Sequence, residues 1–491
     1  MTYFRVFAAT VLAACTAQPP ATTTIVPTPT SRIQTPVAVW LTTGDRRVLL
    51  GRQDSITLGY NETHSGQPTI EVDESKSYQQ MIGFGAAMTD ASAYLIQNKL
   101  SAADREALLQ DLFGRDGGIG MSFIRVPMGA SDFSLRHYSY DDMPAGQADS
   151  ALTHFSIDAD RAEKLPLLRR ALAINPDLKL MASPWSPPGW MKTTNSLIKG
   201  TLQPKFLDSF ASYFVKFIRA YEREGVPVYA ISLQNEPNFE PDSYPGMKLE
   251  PKMRARVIGG SMGPAFARAG INTLIWDYDH NWDLPQQPLD VLADTAAARY
   301  TQGVAWHCYG GDVSAQSTVH DAHPDKDTYF TECSGGEWAP KFADNLKWTV
   351  NTLVIGATRN WARGVLLWNL ALDENHGPHL GGCDNCRGIV TINSKTGAIT
   401  RNDEYYALAH ASKFVRPGAR RIASESGDST LSGVAFKNAD GSKVLIVLNT
   451  GEKDQLFTTR WRLTKSPTQS LESESLHYNL AAGSVVTFTW K

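Results

Sequence analysis

The chain has few cysteines, no excess of either charge and no long hydrophobic run after its first residues. Its 491 residues contain 5 cysteines, so only four remain after Cys15 for disulfides or a metal site. The 47 basic and 50 acidic side chains give a net charge of −3, which argues against a nucleic-acid partner held by bulk charge. Beyond residue 14, no segment is apolar enough to form a transmembrane helix. The length predicts a large core and more than one domain.

The first residues are typical of an export signal. Arg5 provides a positive start, residues 6–14 form a short apolar run, and small residues precede Cys15. Leu12-Ala-Ala-Cys15 resembles the bacterial lipoprotein box, in which the cysteine is lipidated; the alternative is an ordinary cleaved signal with a coincidental cysteine. We expect residues 1–15 to be the signal and the Thr/Pro-rich residues 16–36 to be a tether. The protein is then exported and membrane-anchored only through this lipid, on the periplasmic or cell-surface side of a bacterium.

Two motifs are also absent. A doubly wound dinucleotide-binding sheet requires a third glycine that Gly83-Phe-Gly-Ala-Ala-Met88 lacks. A zinc ribbon requires a second Cys-x-x-Cys besides Cys383-Asp-Asn-Cys386. His376 and His379 raise the alternative of a His/Cys metal site, but their spacing matches no standard structural zinc pattern. Because exported proteins oxidise their thiols, we expect a Cys383–Cys386 disulfide.

From about Ile82 onward, short apolar runs alternate with amphipathic segments of helical period. Eight strands alternating with helices predict a (β/α)8 TIM barrel, which we assign to residues 77–411. The predicted strands are Ile82–Ala87, Met121–Met128, Leu178–Ser183, Val226–Leu233, Thr273–Trp276, Val304–Tyr309, Thr328–Thr331 and Val365–Leu370, and the clearest helices are Ala102–Phe113, Asp160–Ile174, Pro204–Glu224, Pro251–Ala269 and Ala343–Arg359.

Both flanks of the barrel have strand character and no helical period. Residues 37–76 contain short strand-like pieces, and residues 412–491 contain more, with Asp440-Gly441 as a hairpin turn. We expect the two flanks to pair into one β-sandwich. The strand-like pieces are Val37–Leu41, Val48–Leu50, Ser55–Leu58, Thr69–Val72, Val434–Phe436, Val444–Leu448, Leu456–Trp461 and Val485–Trp490.

Polar residues follow the strand candidates where catalytic groups of a barrel lie. The apolar run Val226–Leu233 breaks into Gln234-Asn-Glu-Pro237, and the proline stops the strand with Glu236 at its mouth. A second carboxylate, Glu332, ends strand seven on the opposite side of the barrel mouth. If both point inward, they approach to the roughly 5–5.5 Å of a retaining glycosidase.

Each carboxylate has an expected role. Glu332 is the better nucleophile if Arg125 keeps it ionised, and Glu236 is the better acid/base, with a pKa raised by burial and the neighbouring charge. Asn235 would donate to a sugar 2-OH. Strand alternation turns Cys308 and Cys333 away from the site, where we expect buried thiols.

Six motifs in chain order resemble those of glycoside hydrolase family 30, the glucocerebrosidase-like family, from about residue 37 to the C-terminus. These motifs are Gly83-Phe-Gly-Ala-Ala-Met-Thr-Asp90, Ile124-Arg-Val-Pro-Met128, Ala182-Ser-Pro-Trp-Ser186, Asn235-Glu-Pro237, Phe330-Thr-Glu332 and Leu367-Trp-Asn-Leu-Ala-Leu372. The resemblance implies a retaining β-glycosidase with Glu236 as acid/base, Glu332 as nucleophile and Arg125 beside the nucleophile. It also implies a glucose-binding shell of Asp90, Trp185, Asn235, His307, Tyr309 and Trp368.

The chain differs from the animal glucocerebrosidases at the rim of the site. Cys308 stands where those enzymes carry Trp, and the loops Asn375–Arg387 and Asp242–Gly246 look more like bacterial and fungal members, several of which cleave β-1,6-glucan. We expect a β-glucosidase acting on glucosylceramide-like or short β-glucoside substrates. The alternatives are a β-1,6-glucanase with the same catalytic pair and a lipoprotein that binds glycans without cleaving them. The mechanism needs no metal, nucleotide or redox cofactor.

Overall fold

The structure is a computed structural model that describes residues 1–5, 35–60, 66–462 and 473–491. Residues 35–491 form one compact unit; the unit before it, residues 1–34, is described only at residues 1–5, which have no regular structure. The predicted lipidation site Cys15 and all but the last two residues of the predicted tether lie outside the described residues. Within the described ranges, no helix has the length and apolarity to cross a membrane.

Four strands precede the barrel. The first three are short, and the fourth has 12 residues and continues to Gln80, past the boundary expected at residue 76. The segment Val48–Leu50, expected as a strand, lies just before one instead, because the run that pairs begins at Gly51. The four strands are β1 (Pro36–Thr42), β2 (Gly51–Thr57), β3 (Gly59–Tyr60) and β4 (Thr69–Gln80).

Eight parallel strands close into the expected barrel, in the order β10-β11-β13-β5-β6-β7-β8-β9. Each lies within or beside the apolar run that predicted it. The strands of residues 81–411, including five short ones outside the barrel, are β5 (Gly83–Ala87), β6 (Phe123–Pro127), β7 (Lys179–Ser183), β8 (Ala230–Ser232), β9 (Leu274–Asn281), β10 (Thr301–His307), β11 (Asp327–Glu332), β12 (Gly335–Gly336), β13 (Ala362–Asn369), β14 (Ala371–Leu372), β15 (Cys386–Arg387), β16 (Val390–Ile392) and β17 (Ile399–Arg401).

Helices surround the barrel because each buries one apolar face against the strands. In the helix Leu207–Arg223, Phe210, Phe214, Phe217 and Tyr221 recur at helical spacing and are all buried. The helices are α1 (Asp90–Asn98), α2 (Ala102–Phe113), α3 (Asp158–Arg161), α4 (Lys164–Ile174), α5 (Leu207–Arg223), α6 (Pro251–Arg256), α7 (Gly263–Ala269), α8 (Gln286–Leu292), α9 (Thr295–Tyr300), α10 (Ala315–Ala322), α11 (Phe342–Trp348) and α12 (Asp403–Ser412), with 3-10 turns at Gly189–Met191 and Pro204–Phe206 and π-helical turns at Val257–Met262 and Thr349–Ala357.

The sandwich is built from both flanks, as expected. Among the described residues, ten strands follow one another in the hydrogen-bonded order β2-β1-β23-β20-β19-β18-β4-β21-β22-β3 and enclose a second core. Strand β1 pairs with β23, and β4 pairs with both β18 and β21. The C-terminal strands are β18 (Arg420–Ser426), β19 (Leu431–Lys437), β20 (Lys443–Asn449), β21 (Gln455–Arg462), β22 (Ser473–Leu480) and β23 (Val485–Trp490).

The barrel interior has an apolar layer beneath a polar one. Every strand or its immediate flank supplies one residue to a buried apolar cluster, in which Trp276 and Tyr329 stack with ring centroids 3.7 Å apart. Because side chains alternate along a strand, the residues two positions further along five of the strands point inward as well. They belong to the polar site described next and are Arg125, Ser183, Ser232, His307 and Thr331. The apolar layer consists of Ile82, Phe123, Met181, Ala230, Trp276, Ala305, Tyr329 and Leu366.

Candidate active site

One buried carboxylate, Asp279, organises the polar layer. Its Oδ2 accepts hydrogen bonds from Ser183 Oγ at 2.8 Å, Ser232 Oγ at 2.5 Å and an Arg125 N–H at 2.7 Å, and its Oδ1 accepts from Thr331 Oγ1 at 2.6 Å. The Arg125 charge and the His307 hydrogen bond overcome burial and hold the pKa of Asp279 well below its ordinary value. Asp279 therefore supplies a fixed negative charge beneath the site.

Sequence reasoning missed Asp279 because it ended the fifth strand at Trp276. The strand in fact continues to Asn281, and Tyr278 and Asp279 have φ values of 77° and 58°. The pairing of β10 with β9 shifts by one residue at this point, as at a β-bulge. The shift turns Asp279 into the barrel, where strand alternation alone would have placed Tyr278. The polar run Asp277-Tyr-Asp-His280 after an apolar strand was the signal that could have revealed it.

The two predicted carboxylates, Glu236 and Glu332, face each other across the barrel mouth. One oxygen of each and a nitrogen of His307 all lie within 4.8 Å of one another. That separation is smaller than the spacing of inverting glycosidases and agrees with the close spacing of retaining ones.

Glu332 is held by two donors. Arg125 donates an N–H to its Oε2, and the Tyr309 hydroxyl donates to its Oε1 at 2.9 Å. The predicted contact between Arg125 and Glu332 is therefore present, and both side chains are buried. A second Arg125 N–H donates to Asn235 Oδ1 at 2.7 Å. These contacts fix the carboxylate and favour its ionised form.

Glu236 lies just beyond the end of β8 on a strained backbone. Its φ is 47°, a left-handed value that residues other than glycine rarely adopt. The backbone N–H of Asn235 donates to the Pro184 carbonyl at 2.9 Å, and that of Glu236 donates to the Asp279 carbonyl at 3.1 Å. The neighbouring strands thus hold the turn after β8, and the turn directs Glu236 into the cleft. The strand itself ends at Ser232, so the prediction that Pro237 stops it is wrong.

His307 connects Glu236 to Asp279. Its Nδ1 lies 3.1 Å from Glu236 Oε1, and its Nε2 lies 3.0 Å from Asp279 Oδ1. Burial opposes the charged imidazole, but the charge of Glu332 and the hydrogen bonds to Asp279 and Glu236 raise the pKa of His307 to about 9. At neutral pH both ring nitrogens therefore donate.

The pKa values of the carboxylates differ from the expectation. Burial favours a neutral Glu236, but the His307 hydrogen bond and the charges of His280, His307 and Arg125 lower its pKa. The expected rise at Glu236 is therefore wrong for the unliganded site, because a proton that would sit on Glu236 is held at His307 instead. Burial raises the pKa of Glu332, against the opposing charges of His307 and Arg125.

Aromatic rings form the wall of the cleft. Trp185 and Trp368 stack with centroids 5.1 Å apart, and the Arg125 guanidinium lies 4.9 Å from the Trp185 ring. The cleft has a volume of about 480 Å³, and its rim includes Phe239, Tyr309 and Trp338. The loops expected at the rim are present there, since Asp242, Ser243, Tyr244, Gly382, Cys383 and Cys386 line the cleft.

Asp132 is a cleft residue that the sequence did not single out. Its carboxyl is buried, and its Oδ1 has no hydrogen-bond partner. Burial and the charge of Glu332 raise the pKa of Asp132 well above its ordinary value. A carboxyl that stays neutral can donate a hydrogen bond to a hydroxyl in the cleft.

Asp90 does not lie where the resemblance implied. Its Oδ1 forms an ion pair with buried Lys164 at 2.7 Å and accepts from the Tyr138 hydroxyl at 3.2 Å, outside the residues that line the cleft. Lys164 also needs Asp160, at 2.9 Å, to balance its charge in the interior. The remaining expected residues are brought together, although Arg125 and His307 lie fully buried beneath the carboxylates rather than at the cleft surface.

The four cysteines that the structure describes form two disulfides. Cys383 and Cys386 are paired at the cleft rim. Cys308 and Cys333, expected as buried thiols, are bonded to each other, so that expectation is wrong. The physical reason is that β10 and β11 are neighbours and His307 lies opposite Glu332, which places the next residue of each strand side by side.

Glu236, His307 and Glu332 also have the spacing of a metal site. The cations Arg125 and protonated His307 already contact these carboxylates, so the charge balance there requires no metal ion. A closed barrel whose strand ends hold two facing carboxylates beside stacked tryptophans defines a glycosidase of the retaining class.

Sequence comparisons agree with this class. The profile of the glycosyl hydrolase family 30 TIM-barrel domain matches residues 81–415, and that of the family 30 beta sandwich domain matches residues 418–488. The chain belongs to glycosyl hydrolase family 30 and is a retaining glycoside hydrolase, as the sequence motifs predicted.

Relatives of two kinds are found. The chain is 37% identical over 439 residues to the endo-1,6-beta-D-glucanase neg1 of Aspergillus fumigatus, covering 84% of this chain and 86% of that one. It is 30% identical over 440 residues to the lysosomal acid glucosylceramidase of Mus musculus, covering 83% and 82%. The solved structure of the endo-beta1,6-glucanase BT3312 aligns with a TM-score of 0.82 and 33% identity, covering 93% of this chain and 99% of that one.

Proposed function

We propose that this protein hydrolyses β-1,6-linked glucan at internal bonds. The observation that carries this proposal is the cleft rim, where the exposed rings of Phe239, Tyr309 and Trp338 extend beyond the two carboxylates. Flat aromatic faces along an open cleft suit successive sugar rings of a chain. The endo-1,6-beta-glucanases among the relatives, at 37% and 33% identity, support the same linkage.

The geometry supports a double displacement. The Glu332 carboxylate attacks the anomeric carbon while Glu236 transfers a proton to the departing glycosidic oxygen, which gives a glycosyl-enzyme ester and a free sugar hydroxyl. Water then attacks the same anomeric carbon and gives one proton to Glu236, and the bond between that carbon and Glu332 breaks, so that Glu332 leaves as the carboxylate. The contacts of Arg125 and Tyr309 support Glu332 as nucleophile, and the proton shared with His307 supports Glu236 as acid/base.

Four side chains would bind the reacting sugar. Asn235, held by Arg125, would donate its amide N–H to the 2-OH, a contact that strengthens in the transition state. Trp185 and Trp368 provide an apolar wall for one ring face. The neutral Asp132 carboxyl would donate to a hydroxyl on the same side.

A substrate panel tests the linkage. Pustulan-type β-1,6-glucan, β-1,3-glucan, β-xylan and glucosylceramide are offered separately, and products are followed by chromatography. We expect oligosaccharides of intermediate length from pustulan early in the reaction, which is the pattern of internal cleavage. Release of glucose alone would contradict endo action, and cleavage of xylan only would refute the proposal.

Two variants test the carboxylate roles. A 2-fluoroglycoside should label wild-type enzyme at Glu332, and Glu332→Gln should lose label and activity by on the order of 10³-fold or more. Glu236→Ala should remain slow with natural leaving groups and recover turnover with added azide. Labelling that survives in Glu332→Gln would refute the assignment of Glu332 as nucleophile. Absence of rescue by azide would count against Glu236 as acid/base.

Glucosylceramide is a second candidate substrate because an apolar cavity adjoins the cleft. This cavity, of about 650 Å³, is lined by Pro340, Trp348 and Leu353 and shares Tyr309 and Trp338 with the cleft. Its position would allow a lipid aglycone to lie beside a bound glucose. Glucosylceramide turnover that exceeds pustulan turnover in kcat/KM would favour this candidate.

We further propose that the protein is exported and anchored through a lipid on Cys15. The export-type sequence before Cys15 supports this proposal, and so do the two disulfides, which persist in oxidising compartments. Mass spectrometry of the membrane fraction should find diacylglycerol on Cys15. An unmodified N-terminus a few residues away would refute the anchor.

A further inference from the structure

We propose that Asp141, Asp149 and His154 form a zinc site outside the catalytic cleft. All three lie in the long segment between β6 and α3, and one ligand atom from each lies within 4.8 Å of the others. None of the three lines the cleft. The site is independent of which glycan the enzyme cleaves.

The carboxylate of Asp141 has no hydrogen-bond partner among the described residues. The residue is 2% exposed, and both carboxylate oxygens are buried without a hydrogen bond. Its main chain is satisfied, because the Asp141 N–H donates to Ser139 Oγ and its carbonyl accepts from the Trp190 indole N–H at 2.9 Å. A buried carboxylate with no donor is costly unless it is paired or coordinates a cation.

The nearest charges increase this demand. Asp149 is the carboxylate beside Asp141 in the cluster. The neighbouring Asp142 accepts hydrogen bonds from the hydroxyl and the N–H of Ser139. Among the ion pairs of the described residues, none brings Lys or Arg to Asp141 or Asp149, and only His154 pairs with Asp149, at 2.8 Å. Two buried carboxylates therefore share a single imidazole as their counter-charge.

The donor set selects the class of cation. One imidazole nitrogen with two carboxylate oxygens suits Zn²⁺, whereas Ca²⁺ prefers six to eight oxygen ligands. Ligand atoms about 2.0–2.1 Å from one zinc are roughly 3.3 Å apart in a tetrahedron. The side chain of His154 is 66% exposed, so it can move inward to close the site and leaves the fourth position open to water.

The consequence of binding is mechanical. The Trp190 indole ties Asp141 to the segment that follows β7, which also carries Trp185 of the cleft wall. A zinc ion would join Asp141 to the turn formed by Asp149 and His154. It would thereby stiffen the segment after β6 without contacting the substrate.

Zinc binding tests the site directly. Chain stripped with EDTA is dialysed against micromolar ZnCl₂, and bound metal is counted by inductively coupled plasma mass spectrometry. We expect one zinc per wild-type chain. The affinity for zinc should fall by about tenfold or more in Asp141→Asn and in His154→Gln. His137→Gln, a histidine of the same segment outside the cluster, is the matched control and should bind as wild type does.

The variant Glu332→Gln separates this site from the catalytic carboxylates. Zinc held at Glu236, His307 and Glu332 would be lost in Glu332→Gln and kept in His154→Gln, and that result would overturn the proposal. Saturating zinc should also raise the melting temperature of wild type by ~2–4 °C and leave that of His154→Gln unchanged.

Two other outcomes would refute the assignment. Absence of zinc binding above that of Asp141→Asn would exclude the site, and a thermal shift produced by Ca²⁺ but not by Zn²⁺ would exclude the metal class. Because His154 lies at the surface, His154→Gln should fold and keep wild-type kcat, so a loss of zinc in that variant reports the site and not misfolding.

Discussion

At the scale of single residues, Asp279 determines the charge of the whole site. It accepts hydrogen bonds from Arg125, Ser183, Ser232 and Thr331 and lies 3.0 Å from His307. Its negative charge is the counter-charge of two buried cations. Arg125 in turn positions Glu332, and His307 positions Glu236, so both catalytic carboxylates depend on a residue that neither touches substrate nor ends a predicted strand.

Asp279→Asn should therefore lower kcat more than the loss of a buried carboxylate outside the site does. Removing the charge leaves Arg125 and His307 buried without compensation, and we expect a loss of about 3–5 kcal/mol in the free energy of unfolding together with a large fall in kcat. Urea denaturation and steady-state kinetics measure the two effects.

Asp277→Asn is the matched control on the same strand. Asp277 forms an equally buried ion pair with Arg254 at 2.9 Å on the outer face of β9. It should lose comparable stability and keep its kcat. Equal losses of kcat in both variants would show that Asp279 acts only through stability.

His307 should set the pH dependence of catalysis. As an imidazolium below about pH 9 it lowers the pKa of Glu236, and a neutral residue there would let that pKa rise. We expect His307→Gln to move the basic limb of the kcat/KM profile to higher pH by roughly one unit or more. His280→Gln, whose ring lies 4.0 Å from Glu236, is the control and should leave the basic limb near that of wild type, because burial lowers the pKa of His280 and keeps its ring neutral there. An unmoved limb in His307→Gln would contradict the shared proton.

At the scale of secondary-structure elements, the ends of β10 and β11 are joined covalently beside the chemistry. Cys308 lies between His307 and Tyr309, and Cys333 directly follows Glu332. The disulfide therefore fixes the nucleophile relative to two side chains that contact the carboxylates.

The double variant Cys308→Ala/Cys333→Ala should show this positioning. We expect kcat to fall by roughly tenfold with KM little changed, because small displacements of a nucleophile are costly, and stability to fall by about 3 kcal/mol. Cys383→Ala/Cys386→Ala, which opens a much shorter loop, is the control and should lose less stability. A change confined to stability would limit the Cys308–Cys333 disulfide to a structural role.

The sequence predicted the elements better than their ends. Eight apolar runs located the eight barrel strands, because a strand buried on both faces must be apolar. The extension of β9 was missed because Asp277-Tyr-Asp-His280 is polar, and a buried polar network has the same composition as a surface loop. Glu332 and Arg125 were found because they lie within recognisable strands, and Glu236 was found because it follows one closely.

Partners across space were harder to predict than positions along the chain. Asp90 was placed in the cleft by resemblance, but its buried partner Lys164 comes from a helix whose charge the motif does not contain. The Cys308–Cys333 disulfide was missed for the opposite reason. The predicted strand order already made the two strands neighbours, so the pairing followed from information that was present.

At the scale of the whole molecule, one histidine joins the barrel to the sandwich. His410 of α12 is fully buried, with its two nitrogens 2.8 Å from the hydroxyls of Thr42 in β1 and Thr487 in β23. Burial lowers the pKa of His410 to about 3. The two domains are therefore held together by an imidazole that must stay neutral.

The pH dependence of stability should reflect this. The unfolded His410 takes up a proton below about pH 6.5 and the folded one does not until about pH 3, so stability falls as pH drops through that range. We expect wild type to lose about 1.4 kcal/mol per pH unit relative to His410→Gln between pH 6 and 4. Chemical denaturation of both proteins measures the difference, and parallel curves would contradict it.

His307 changes the stability with pH in the opposite direction. Its raised pKa of about 9 adds stability that is complete below about pH 6.5 and is lost as pH rises through 9. The same comparison with His307→Gln should therefore diverge on the alkaline side. Together the two histidines favour the folded protein near neutral pH.

The pairing of β1 with β23 also determines when the protein can be completed. Ala38 lies opposite Thr489, and β23 itself lies between β1 and β20 in the middle of the sheet order. During synthesis, β1 emerges before the barrel and must wait for a partner that emerges after it. Closing so long a loop is slow, and until it closes an unpaired strand edge is open to other chains. Because the chain is synthesised from its N-terminus, the sandwich stays incomplete until β23 has emerged and paired with β1.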